Sequence, residues 1–145
     1  MYTQDFAKLW SKLTKNYQSH METYLAPSLT EAQLSVLELL DQREKMKPSD
    51  FIPFLATTPA AVTMLLDRME RAGLIVRERD LDDRRIVWVS ITEKGQTETQ
   101  RGLQIRNDFL GTVLDQISSH NQQLLIFLLG KITTTGEPVL NRERA

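Results

Sequence analysis

Residues 57–95, TTPAAVTMLLDRMERAGLIVRERDLDDRRIVWVSITEKG, constrain this chain more than any other stretch. The hydrophobic period changes within it, from helical to alternating. Thr58 can cap a helix with its hydroxyl, and Pro59 suits the first helical position, where no backbone N–H is missed. Val62, Leu65, Leu66 and Met69 then share one helical face. Gly73 is the stop, because glycine readily takes the left-handed conformation that ends helices. Beyond it, Val87, Val89 and Ile91 alternate at strand period across from Leu74 and Val76. The intervening loop, residues 80–85, is charged except for Leu81. The spacing predicts a helix, a hairpin with arginines near its tip, and the start of another helix.

The flanks read as helices. Phe6, Leu9, Leu13, Tyr17, His20, Met21 and Tyr24 recur every three or four residues, which predicts an amphipathic helix over 3–24, broken at Pro27 and Ser28. Thr30 and Gln33 form a capping box, with Leu29 placed to staple onto Leu34. The helix that follows is almost wholly apolar and belongs at the centre of the core. A short helix is expected near 48–55, starting near Asp50 so that Pro53 falls in its first turn and costs no hydrogen bond. Thr92 caps a long helix in which Leu103, Leu110 and Ile117 recur by sevens. Ser119 and Gln122 suggest a second capping box. Residues 124–132 then run apolar on every side, which calls for burial against a second subunit. Residues 136–145 are polar and read as a loose tail.

Composition bounds the function. With 145 residues there is room for one domain, 1–145, with a real core. No run approaches the roughly 18 apolar residues of a membrane span, and the N-terminus carries no secretory signal. Cysteine is absent, which fits a cytoplasmic address and leaves no thiol chemistry. Net charge is −1, so the chain has no bulk positive field, and attraction to any polyanion would depend on where individual arginines point. No phosphate-cradling glycine loop, nucleophile motif or acid–base pair supports an enzyme, and no cofactor is implied. His20 and His120 are the two histidines and lie far apart, so no metal site is expected.

A helix-turn-helix followed by a two-stranded wing is the layout of a winged helix. That layout sets a helix in the DNA major groove and a loop against the adjacent backbone or minor groove. The element order resembles the multiple-antibiotic-resistance-regulator (MarR) family over nearly the whole chain, most closely over 62–95. The wing signature is Asp83-Arg84-Arg85, alternating residues to Ser90, then Ile91-Thr92-Glu93-Lys94-Gly95.

The resemblance implies a mainly α fold with a small β-wing and about six helices. It implies a DNA-binding lobe over about 30–95 and a dimerisation region from about 3–24 and 96–135. It also implies a DNA-binding transcription regulator, a repressor acting as a homodimer on a pseudo-palindromic operator. A small-molecule effector would release it. The competing reading is a winged-helix interaction module with little specific DNA binding.

Carried over by position, the DNA-facing set is Thr58, Pro59, Ala60, Ala61, Thr63, Met64 and Arg68 on the helix, with Arg77, Arg84 and Arg85 on the wing. Met64 and the two alanines depart from the polar residues usual in the family. They leave thymine methyls as their natural contacts. Asp83 and Asp67 are expected to orient arginines, because phosphates repel a carboxylate. Arg68 is open between a phosphate contact and an intramolecular pair, and Arg77 between phosphate and solvent. Trp10, Tyr17, His20 and Tyr24 form a candidate ligand-pocket wall, with core or dimer packing as the alternative.

Overall fold

A computed structural model describes residues 1–135; the tail expected over 136–145 lies outside the described residues. The element order is α1 (Thr3–Leu25), α2 (Glu31–Gln42), a 3-10 turn (Pro48–Phe51), α3 (Ile52–Leu55), α4 (Pro59–Arg71), β1 (Ile75–Arg79), β2 (Val87–Ile91), α5 (Glu93–Leu114) and α6 (Ser119–Thr135). The fold is mainly α with a two-stranded antiparallel sheet. The chain divides into two compact units, Met1–Asn107 and Asp108–Ala145.

The core lies in the first unit. Leu34, Val36, Leu37 and Leu40 of α2 are buried among Met21, Leu25, Phe51, Val62, Leu66, Met69, Leu74, Ile75 and Val89. Each such aliphatic side chain stabilises the fold by about 1.5–3 kcal/mol through removal from water. The capping box is present: the Gln33 amide donates to Thr30 Oγ1 at 3.2 Å and the Thr30 amide to Gln33 Oε1 at 3.1 Å. Pro53 sits in the first turn of α3, and a 3-10 turn starting at Pro48 precedes that helix. Thr99, a buried polar residue, donates to the Gly95 carbonyl at 2.8 Å.

Two local expectations are corrected. β1 starts at Ile75, paired with Ile91, so Ile75 faces the core and Val76 is exposed. Leu74 is buried but belongs to the turn after Gly73, whose φ is +75°. The α6 cap is Ser118, whose Oγ accepts from the Asn121 amide at 3.3 Å, and not Ser119. The Gln122 side chain instead donates to the Leu114 and Ile117 carbonyls, tying off the turn after α5.

Each unit leaves apolar surface uncovered. On α1, Phe6, Leu9, Trp10 and Leu13 are exposed. On α6, Leu124, Leu125, Ile126, Phe127, Leu128, Leu129 and Ile132 are all exposed. No single helix among the described residues is long and apolar enough to cross a membrane.

Candidate nucleic-acid interface

Helix α4 sorts its residues cleanly. Val62, Leu66 and Met69 are buried, while Thr58, Pro59, Ala60, Ala61, Thr63, Met64 and Arg68 are exposed. Thr58 caps the helix, its Oγ1 accepting from the Ala61 amide at 3.2 Å, which leaves its O–H free to donate. The Thr63 hydroxyl donates back to the Pro59 carbonyl at 3.1 Å, which leaves its lone pairs free. Arg68 makes no ion pair among the described residues. A cavity of about 510 Å³ runs beside this helix, lined in part by Phe54, Leu55, Ala61, Met64, Leu65 and Arg68.

The wing tip is a closed set of hydrogen bonds. The Asp80 amide donates to the Ile86 carbonyl at 2.9 Å, and the Ile86 amide to the Asp83 carbonyl at 3.0 Å. Asp83 grips Arg85 as a fork: Nε donates to Oδ1 and Nη2 to Oδ2, each at 3.0 Å, with the Arg85 amide also on Oδ1 at 3.1 Å. These donors hold the Asp83 carboxyl below its usual range. The Arg85 side chain nevertheless remains 90% exposed. It is therefore aimed without being hidden. Arg84 is exposed, and its carbonyl accepts from Arg79 Nη1 at 2.7 Å.

Arg77 turns back onto α4. Its guanidinium lies 2.6 Å from Asp67 and 3.0 Å from Glu70, and its amide donates to Glu70 at 3.1 Å. The arginine that Asp67 holds is thus Arg77, and the pair joins the helix to the wing strand. Both carboxylates engage Arg77, whose side chain stays 26% exposed. The Arg77 donors hold Glu70 below its usual range. In the unfolded chain Glu70 takes its proton near its ordinary value of 4.5, before the folded chain does. Its contribution is therefore intact at neutral pH and lost as pH falls below 4.5 through the folded value. Glu70→Gln is expected to flatten the acid limb of the stability–pH curve, read by urea denaturation between neutral and acid pH. An unchanged acid limb would remove this role.

Trp10, Tyr17, His20 and Tyr24 do not share one surround. Trp10 stacks on Phe6 with centroids 6.2 Å apart and is exposed. Tyr17 packs against the core. His20 lies 4.4 Å from Tyr24, ring to ring. No cluster of three or more His, Cys, Asp or Glu suited to a metal occurs among the described residues.

Sequence reasoning missed Asp80, Trp88, Glu70, Lys45 and Lys47. Trp88 Nε1 donates to Asp80 Oδ1 at 2.9 Å, and the Lys45 ammonium sits 4.5 Å from the indole centroid. A tryptophan on the outward face of a wing strand was the available signal.

Residues 29–87 match the MarR family. The chain is 31% identical to the uncharacterized HTH-type transcriptional regulator YkoM of Bacillus subtilis, over 76% of this chain and 71% of that protein. It is 26% identical to the HTH-type transcriptional repressor MdtR of the same organism, over 81% and 76%. Its fold is similar to that of a mutant MarR from E. coli crystallised with operator DNA, with a TM-score of 0.73 and 22% identity over 91% of this chain and 97% of that one.

Proposed function

Because the chain belongs to the MarR family of transcription regulators, we propose that it represses transcription by holding a pseudo-palindromic operator as a homodimer. It does so in the cytoplasm, with α4 in the major groove and the β1–β2 wing against the neighbouring minor groove. The observation that carries this reading is the fork of Asp83 on Arg85, exposed at the wing tip. A guanidinium fits a narrow minor groove because that groove concentrates negative potential and Arg sheds water more readily than Lys. On α4, Met64 and the two alanines offer apolar contacts to thymine methyls, while Thr58, Thr63 and Arg68 supply the polar ones. The uncovered apolar faces of α1 and α6 support the dimer. Repression is the role named for MdtR.

An effector seated in the cavity beside α4 would meet Met64 and Arg68, which the same reading assigns to DNA. Apolar walls with one guanidinium suit a small apolar anion, and such a molecule would compete with the operator directly.

Arg85→Ala tests the central claim. It is expected to weaken operator binding by about 1–3 kcal/mol, the worth of one good groove contact. Circular dichroism should show an unchanged fold, because the side chain is exposed. Asp83→Ala should lose less, since it only aims the arginine. A folded Arg85→Ala chain that binds as tightly as the parent would refute the wing contact.

A further inference from the structure

The fork at the wing tip is itself held from behind. Asp80 stands at the first corner of the loop and accepts three hydrogen bonds. Oδ1 takes the Trp88 indole N–H at 2.9 Å, and Oδ2 takes the backbone amides of Asp82 at 3.1 Å and Asp83 at 3.0 Å. These donors, the indole foremost, hold the Asp80 carboxyl below its usual range. The amide of Asp83 is thereby pinned on one side while its carboxylate grips Arg85 on the other.

Trp88 is not free to wander either. It lies on β2 opposite Glu78, and its neighbour Val89 is buried. Val89 and Met46 exchange backbone hydrogen bonds at 3.1 and 2.8 Å, bringing the segment before the 3-10 turn alongside β2. That segment places Lys45 over the indole at 4.5 Å and Lys47 at 5.8 Å. The ring therefore lies beneath two ammonium groups, with its N–H donating to Asp80. A hydrogen bond fixed at both ends can transmit position, whereas a solvated one cannot.

We propose that Trp88 and Asp80 are positioning residues for Arg85. The indole N–H fixes the Asp80 carboxylate, Asp80 fixes the Asp83 amide, and Asp83 then presents the guanidinium at one height and angle. Lys45 supports the relay by holding the ring. The proposal rests on the reading of Arg85 as a DNA contact, and the experiment separates the two.

Trp88→Phe keeps a ring beneath Lys45 and deletes only the N–H. Operator binding of four full-length chains is titrated: parent, Trp88→Phe, Arg85→Ala and the double variant. Loss of the indole N–H acts on DNA only through the loop, so it should weaken the Trp88→Phe chain about three- to tenfold, a part of the roughly 10- to 150-fold that one hydrogen bond to a charged group can carry. In the Arg85→Ala background the same change should cost less than about twofold, because a residue acting through Arg85 has nothing left to position. Equal losses in both backgrounds would overturn the proposal. So would an unchanged affinity for Trp88→Phe where Arg85→Ala itself binds weakly.

A second measurement does not depend on DNA. Amide hydrogen exchange at Asp82 and Asp83 should quicken in Trp88→Phe, while amides of α2 stay unchanged. If Arg85→Ala binds normally, the DNA reading of the wing fails, and the exchange result alone then decides whether the indole fixes the loop. Unchanged exchange at both amides would overturn the relay.

Discussion

Leu128→Glu should convert the protein from a dimer to a folded monomer of 16.7 kDa in sedimentation velocity. Leu128 is exposed on α6, so a glutamate there meets only water within one protomer. A second copy covering that face would have to bury an unpaired carboxylate, which costs several kcal/mol. The helix gives the substitution no polar refuge, because the run from Leu124 to Leu129 is apolar without interruption. Operator affinity should fall with the dimer. Two lobes on one operator gain roughly 10²- to 10⁴-fold from being joined, and a monomer forfeits that gain. A parent chain that sediments as a folded monomer at micromolar concentration would overturn the expectation, as would a Leu128→Glu chain that remains dimeric.

Gly95→Ala is expected to be the most damaging single-methyl change in the first unit. Gly95 is buried at the start of α5, against the turn that leads into the wing. A Cβ there would lie 2.7 Å from Ile91 Cγ1 and inside the contact distance of the Leu74 carbonyl oxygen. The side chain of Ile91 could yield, but the carbonyl is held by the Thr92 amide at 3.1 Å. Relief therefore requires moving backbone at the base of the hairpin. The loss should be about 3 kcal/mol, at the upper end for overpacking, and the melting temperature should drop by about 10 °C. Gly111→Ala is the control, because a Cβ at that position meets nothing within 4 Å. There the better helix propensity of alanine should leave stability level or raise it by up to about 1 kcal/mol. Equal effects at the two glycines would show that the close approach at Gly95 carries no weight.

What could be read from residues alone depended on how far apart the interacting groups lie. Thr58, Pro59 and Gly73 are local signals, so the ends of α4 were legible without any tertiary knowledge. Asp83 and Arg85 are two residues apart, and their pairing could be expected from the motif. Asp80 and Trp88 are eight apart on opposite sides of a loop. Their bond depends on the register that sets Glu78 against Trp88, and the alternation of apolar residues left that register one residue uncertain. The same slip hid Arg77: only with Ile75 facing inward does its guanidinium come round to Asp67 and Glu70. On α1 the periodicity of aromatics was plain, but periodicity states which residues share a face and not what covers it. Ser118 and Ser119 present equivalent caps one residue apart, and the helix chose the first.

The Asp83–Arg85 fork has a consequence for how binding should respond to ionic strength. Counterion release from DNA counts the net positive charge delivered to the phosphates, and each unit contributes nearly one power of salt concentration. Arg85 arrives with its own carboxylate attached, and Arg77 is already neutralised by two. On the proposed reading each wing would bring to the duplex a guanidinium of fixed shape whose charge Asp83 offsets, with the exposed Arg84 beside it in no ion pair among the described residues. The dependence of affinity on salt should be shallower than a count of its arginines would give. Discrimination would then survive at salt concentrations that strip less well-paired proteins from DNA.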